Sequence, residues 1–224
     1  MIRVLVKGDS ACFTRAEFST ERESYPVMTA SSARAIMESI YWHTGFRYVI
    51  DRIRVCAPIR FTTIRQNELG AVANSNTILS AIKRGAYSEI GLSRNKNIQQ
   101  RTTRLLKDVM YVIECHMELI PENMNPSDNI NKFLGIVTRR VEKGSCYKQP
   151  YLGIREYTAF FEPCQKIPPC PEELRGIKDL GYMLLDMDYS DIKNIKPIYF
   201  HAIMVDGMIE LPDPKLAAGG AVYV

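Results

Sequence analysis

The chain lacks most of the short patterns that would settle its chemistry at once. There is no G-x-x-x-x-G-K-[ST] loop for a nucleotide phosphate, no G-x-G-x-x-G for a dinucleotide and no H-E-x-x-H helix for zinc. No window approaches the roughly 18 consecutive apolar residues of a membrane span. The opening "MIRVLVKGDSACF" has neither the apolar core nor the cleavage site of a secretion signal, so a cytoplasmic protein with no membrane partner is expected. Six cysteines occur without a C-x-x-C pair, and Cys12, Cys56 and Cys115 lie inside apolar segments. They are expected to be reduced packing residues rather than disulfides or zinc ligands. The carboxylates Asp9, Asp51, Asp108 and Glu114 show no metal-ligand spacing, which ranks a metal-dependent DNA nuclease last. No cofactor or metal is expected.

What is present describes a folded protein. Of 224 residues, 46% are hydrophobic and 24% charged, enough apolar surface for a core and too little charge for default disorder. The net charge of +4 is unevenly spread: residues 1 to 120 hold 17 Lys and Arg against 11 Asp and Glu, and 13 of those 17 cations are Arg. Guanidinium forks match phosphate oxygens and stack on bases, so this half suits a nucleic-acid partner.

Periodicity divides the chain into alternating elements. "MIRVLVKG" alternates apolar and polar residues and predicts a first strand ending at Gly8, followed by a polar loop to Thr29. Ala33, Ile36, Met37, Ile40 and Tyr41 recur at helical spacing, predicting a helix over about 31–43 capped by Ser31 or Ser32. Phe46, Tyr48 and Ile50 restart a period of two, with Arg47, Asp51, Arg52 and Arg54 at polar positions, in a strand over about 46–57 that Pro58 breaks. A short helix is expected near Ile78–Lys83. It lies within a basic, mobile insertion over about 67–104 carrying Arg84, Arg94, Lys96, Arg101 and Arg104. A strand over about 105–120 follows, then a helix with Ile130, Phe133, Leu134, Val137 and Val141 on one side, stopped by Gly144, and a long fourth strand in "YLGIREYTAFFEP".

The order β-α-β-(insertion)-β-α-β predicts an α+β fold of the ferredoxin-like type, two helices on one face of a four-stranded antiparallel sheet with the other face left for a ligand. The domain boundary is expected at 1–165 for this unit and 166–224 for a small antiparallel β subdomain covering part of the sheet. The second part contains a hairpin turning at Asp206-Gly207. Such a sheet is shared with RNA-recognition modules, but their Gly-aromatic signature is missing from "RLLKDVMYVIECHMEL", so the fold alone assigns no activity.

The segments "GDSACFTRAEFSTERESYPVMTASSARAIMESIYWH", "LKDVMYVIECHMEL", "LGIREYTAFFEP", "DLGYMLLDMDY" and "PIYFHAIMVDGMIELP" together resemble the CRISPR-associated Cas family-five proteins of subtype I-C, across essentially the whole chain. The resemblance implies membership of the RAMP superfamily and a metal-free endoribonuclease that cuts the repeat hairpins of precursor CRISPR RNA. It also implies that the protein then stays on the 5′ handle as a subunit of the interference complex. The implied partners are the repeat RNA, the backbone and large subunits and, through the complex, double-stranded DNA. Family catalysis rests on a tyrosine, which falls on Tyr41, and on a neighbouring lysine and histidine; the histidine falls on His116. The lysine has no counterpart, because Glu114 and Cys115 occupy that stretch.

Metal-free cleavage requires the 2′-hydroxyl to attack the adjacent phosphorus, leaving a 2′,3′-cyclic phosphate and a 5′-hydroxyl. Histidine, with a reference pKa of about 6.5, suits either proton transfer, so His116 is the expected acid or base. Tyr41 is expected to orient or relay a proton, with general base as the option the resemblance implies. Arg34, His43 or the basic insertion would supply the cation. Arg15, Arg22, Arg34, Arg47, Arg52, Arg54, Arg101 and Arg104 are the candidate RNA contacts. The plainer reading stays open beside this one. Tyr41 closes an apolar stripe as a core aromatic would, His116 fits a surface position, His43 and His201 read as structural, and Trp42, which could stack on a base, reads first as a buried anchor. The competing function is a subunit that grips the 5′ handle without cutting it.

Overall fold

A computed structural model describes residues 1–15, 17–18, 21–91, 97–188, 191 and 193–213. The elements in chain order are β1 (Ile2–Ala11), β2 (Arg22–Glu23), α1 (Ala30–Ile40), β3 (Phe46–Val55), β4 (Phe61–Leu69), α2 (Ser75–Lys83), β5 (Ile98–Leu119), α3 (Ile130–Glu142), β6 (Phe160–Pro163), β7 (Ile177–Asp188), β8 (Lys196–Val205) and β9 (Met208–Glu210). The result is a mixed α and β protein with one large antiparallel sheet and few helices. The sheet runs β6-β1-β5-β3-β9-β8-β7, with β2 and β4 paired to β5 off that path.

Local chemistry explains where the two main helices begin and end. Thr29, two residues ahead of the first expected cap Ser31, accepts a hydrogen bond from the Ser32 N–H at the start of α1. Ala33, Ile36, Met37 and Ile40 form the buried stripe of α1. The helix stops at Ile40 rather than near residue 43, because Tyr41 turns to an extended backbone. Asn129 caps α3 by accepting from Lys132 N–H at 2.9 Å, and Arg139 and Arg140 in its last turn complement the helix dipole. Gly144, at φ +62°, takes the left-handed step that ends the segment.

Both helices lie on the same side of β1, β5, β3 and β6. One continuous core joins Ile36, Met37 and Ile40 of α1 and Phe133, Val137 and Val141 of α3 to Val4, Val6, Tyr111, Ile113, Phe46 and Tyr48 of the strands. Burying a side chain of this size contributes about 1.5–3 kcal/mol, so this layer dominates the stability of the region. Strand alternation then sends Arg3, Leu5, Val112, Glu114, His116, Arg47, Val49 and Arg54 to the opposite face.

Two expectations change. The predicted fourth strand is a tight turn over most of its length, closed by a bridge between Tyr151 and Thr158, and only Phe160–Pro163 pairs with β1. Gly153 makes that turn possible: its φ is +86°, and a Cβ there would stand 1.9 Å from the Cys12 carbonyl oxygen. The C-terminal strands extend the sheet edge to edge, because β9 pairs with Arg52–Arg54 of β3 and β8 with β9. Asp206 and Gly207, both at positive φ, make the expected hairpin turn.

The chain divides into two compact units. The larger unit comprises Met1–Thr62 with Arg104–Val224, so it includes the C-terminal strands, and the smaller is Thr63–Thr103. Within the smaller unit α2 is capped by Asn74, and Gly70 N–H bonds the Asn97 carbonyl at 2.8 Å. The expected loop after Asn97 is strand from Ile98 onward. Arg94 and Lys96 of the expected basic insertion lie outside the described residues.

Phe133→Ala removes a fully buried ring from the centre of the helix-covered layer and is expected to destabilise the protein by about 3–5 kcal/mol in urea unfolding. The same truncation at exposed Phe160 is expected to stay within about 0.5 kcal/mol.

Candidate nucleic-acid interface

The sheet face away from the helices has a covered half and an uncovered half. Cys164 N–H bonds the Arg3 carbonyl where the chain leaves β6, and Cys170 meets Gly207, whose missing Cβ would stand 2.9 Å from the Cys170 sulfur. The chain between these two contacts accompanies the burial of Leu5 and Val112 and of Glu114, which has 0% exposure. Cys164 there feels the charges of Arg3, Glu114 and Arg54.

Glu114 is the anchor of that half. Its Oε1 accepts from Arg54 Nε at 2.7 Å and lies 3.7 Å from Arg3 Nε, and its Oε2 lies 3.8 Å from Arg52 Nη1 with no hydrogen bond of its own. Three guanidinium groups from β1 and β3 thus converge on one buried carboxylate of β5. A buried carboxylate without partners would be very costly; the three arginines surround it and tie the three central strands together across their width.

The uncovered half carries the imidazole. His116 stands opposite Val49 in the ladder, and its Nδ1 is 2.8 Å from Asp51 Oδ1. The pairing of β3 with β5 slips between Ile50 and Arg52, so Asp51 is the extra residue of a bulge. A bulge re-aims a side chain, and here it brings a carboxylate to the imidazole that strict alternation would have turned away. With Nδ1–H donated to Asp51, Nε2 is the nitrogen left to take or give a proton, and the His116 side chain is 45% exposed. Two ladder positions along, Arg47 Nε donates to Glu118 at 2.8 Å.

Tyr41 stands elsewhere. It is 7% exposed, with its ring on Phe46 and Phe133 and the Arg140 guanidinium 5.1 Å above it. Burial raises its pKa, only partly opposed by Arg140 and Lys132. Phe46 and Tyr48 belong to the helix-covered face and Val49 and His116 to the other, so the structure does not bring Tyr41 and His116 together. Cys115, in the stretch where the resemblance places a lysine, is fully buried, and burial pushes its thiol up to about 12. It offers no positive charge.

The other candidates are dispersed. Arg34 forms a bidentate pair with Asp186 of β7, one arm at 2.7 Å, and lies 3.6 Å from Glu38. Arg15 sits over the Tyr25 ring, Arg22 lies 3.7 Å from Glu156, and Arg104 pairs with Glu23 at 2.6 Å while covering Phe61. Arg101, in the smaller unit, is 3.6 Å from Glu68. Arg52 also pairs with Glu210 at 3.1 Å. His43 accepts from Gly45 N–H and faces Asp128 at 3.8 Å among Phe46 and Phe133; His201 pairs with Asp179 at 2.9 Å. Every sheet-face arginine therefore has a carboxylate neighbour, and the face is charge-balanced rather than a bare basic patch.

Sequence reasoning missed Arg3, whose alternation with Ile2 and Val4 was legible, and the partner role of Asp51. Its signal was the pair Asp51-Arg52, two polar residues in succession that follow the apolar run Tyr48-Val49-Ile50 and break the alternation. Trp42 corrects a further expectation: beyond the end of α1 it is 57% exposed, not a buried anchor.

An antiparallel sheet armoured by helices on one side and presenting an Asp-oriented histidine among guanidinium groups on the other defines the class, an α+β protein with an ionisable open sheet face. The chain belongs to the CRISPR-associated protein (Cas_Cas5) family, whose Cas5d model matches residues 1–212. It is 38% identical over 215 residues to the CRISPR pre-crRNA endoribonuclease Cas5d of Mannheimia succiniciproducens, covering 94% of each chain. It is 33% identical over 232 residues to the protein of the same name from Thermus thermophilus, covering 96% of this chain and 92% of that one. A crystal structure of a CRISPR-associated protein shares the fold with a TM-score of 0.68 at 20% identity, over 97% of this chain and 94% of that one.

Glu114→Ala is expected to lower stability by about 1.5–3 kcal/mol, the range of a charge-assisted hydrogen bond, with Glu114→Gln costing less because it keeps an acceptor for Arg54. Urea unfolding of both variants checks the order.

Proposed function

We propose that this chain is a metal-independent endoribonuclease of precursor CRISPR RNA that cuts within the repeat and remains on the 5′ handle as a subunit of the subtype I-C interference complex. Its partners are then the repeat RNA, the backbone and large subunits and, through the complex, double-stranded DNA. The observation that carries the reading is the exposed His116–Asp51 pair on the uncovered sheet face of a chain whose relatives are named pre-crRNA endoribonucleases. The strand order β6-β1-β5-β3, with α1 after β1 and α3 after β5, supports the ferredoxin-like, RAMP-type arrangement for this part of the sheet.

Asp51 holds one imidazole nitrogen so that Nε2 of His116 exchanges a proton with the ribose hydroxyl or the leaving 5′-oxygen. Arg47 and Arg52 flank it. Each guanidinium has five N–H donors and its carboxylate engages at most two, so outward donors remain for a phosphate oxygen even in a charge-balanced face. Tyr41 enters as a positioning residue: its ring on Phe46 and Phe133 fixes the turn that carries Trp42 and His43 at the end of α1.

A second reading, a subunit that grips the 5′ handle without cutting, is favoured by one observation. The buried Cys115 occupies the stretch where a cation is expected, and the arginines that flank His116, Arg47 and Arg52, are each paired with a carboxylate, Glu118 and Glu210.

Incubating the cognate repeat RNA with the protein in EDTA is expected to give a single cut with a 2′,3′-cyclic phosphate end, lost when the ribose at the cut is 2′-deoxy. His116→Ala is expected to slow single-turnover cleavage by roughly two orders of magnitude or more. Tyr41→Phe, which keeps the ring packing, is expected to cost at least about tenfold less than that. Intact RNA after prolonged incubation would establish the gripping subunit instead.

A further inference from the structure

The cations best placed to meet a phosphate without first leaving a carboxylate are not on the sheet face. They line a groove of about 810 Å³ between the C-terminal half of α1 and residues 147–158. Its walls carry three aromatic rings, Trp42, Tyr147 and Tyr151, with Lys148 and Arg155 beside them and Glu38 at one side. Trp42 and Tyr147 are 57% and 70% exposed. Other large apolar side chains are exposed as well, but here two rings left in water share one concave surface with two cations, the combination that marks a contact site.

The groove is rigidly built. Tyr147 and Lys148 N–H groups donate to the Ser39 carbonyl at 2.9 and 3.0 Å, so the far wall hangs on the carbonyls that the end of α1 leaves unsatisfied. The 150–159 turn is closed by Leu152 N–H to Tyr157 O and Ala159 N–H to Pro150 O, and is fixed to the end of β1 by Cys12 N–H to Leu152 O at 3.0 Å.

Charge and position identify the occupant. Neither Lys148 nor Arg155 has a carboxylate partner among the described residues, while the single acid, Glu38, lies 3.6 Å from Arg34, and burial raises its pKa. A smaller cleft shares Glu38 and Trp42 with the groove and continues past His43 to Arg47, two residues along β3 from Val49, the ladder partner of His116. An aromatic and cationic track therefore leads from Arg155 by way of Trp42 to the edge of the His116 face.

We infer that this groove binds unpaired nucleotides of the RNA flanking the cut, with bases stacked on Trp42 and Tyr147 and phosphates on Lys148 and Arg155. The inference rests on the RNA-cutting reading above and names where the substrate's single-stranded part lies. Stacking on aromatic rings tolerates any base, so the groove would supply affinity and placement rather than sequence choice.

Because Trp42 is the only tryptophan of the chain, its fluorescence reports on this groove alone. The experiment titrates the full-length His116→Ala protein with a single-stranded RNA carrying the repeat flank. Tryptophan emission and the anisotropy of a dye on the RNA are followed together. The expected result is saturable quenching with the same midpoint as the anisotropy. Tyr147→Ala should weaken binding by about tenfold, a typical effect of losing one stacking ring. Trp42→Ala, followed by anisotropy, should do the same, with Trp42→Phe recovering most of that loss. Lys148→Ala with Arg155→Ala should flatten the slope of log affinity against log salt by roughly 1.4, about 0.7 for each contact to a single strand.

RNA binding with unchanged emission and unchanged affinity in both aromatic variants would overturn the groove while leaving the RNA-cutting reading intact. A protein that neither binds nor cuts the RNA would overturn both. Aromatic variants that change the oligomeric state in sedimentation but not RNA affinity would hand the groove to a second copy of the chain and overturn the inference.

Discussion

Strand alternation in β1, β3 and β5 is the constraint from which the rest of the molecule follows. Each strand sends its apolar residues, Val4 and Val6, Phe46 and Tyr48, Tyr111 and Ile113, to one side, where only helices can cover them. The intervening positions are then obliged to face the other way, and they hold Arg3, Arg54, Glu114 and His116. Glu114 makes that charged face tolerable under cover, because three arginines from neighbouring strands surround a carboxylate with no access to water. The one departure from alternation, the bulge at Asp51, is what equips His116 with a partner.

The same constraint separates two residues that a linear reading places in one site. Tyr41 closes the apolar stripe of α1, and that stripe must face the core, so its ring joins Phe46 and Phe133. His116 sits between buried Cys115 and Met117 in β5 and must face away. A sheet lies between them. The groups that share the face of His116 are Asp51, Arg47 and Arg52, and in the proposed reading Tyr41 acts only through the turn it supports.

Charge is arranged differently on two surfaces. The sheet face balances its arginines with Asp51, Glu114, Glu118 and Glu210, an arrangement suited to holding side chains in fixed directions. The groove beside α1 leaves Lys148 and Arg155 without carboxylate partners and Trp42 and Tyr147 in water, an arrangement suited to gripping a flexible polyanion. The cleft past Trp42 and His43 to Arg47 connects them.

Much of the fold was legible in the sequence because it follows from local periodicity. The period-two runs in β1, β3 and β5, the apolar stripes of α1 and α3, Gly144 as a stop and Asp206-Gly207 as a turn are short-range physics. Residues 151–158 misled for a definite reason: their composition suits a strand, but Gly153 docks against the Cys12 carbonyl, a contact 141 positions away in the chain. The edge-to-edge joining of β9 to β3 and the exposure of Trp42 were hidden likewise, since both depend on where an element ends relative to a distant one. By itself, the sequence determined which residues alternate and which face inward, and hence that His116 stands on a polar face. Only the tertiary structure decided that Asp51 is its partner, that Glu114 gathers three arginines and that Tyr41 lies beyond the sheet, because register, bulges and side-to-side neighbours are set by long-range pairing that no local pattern encodes.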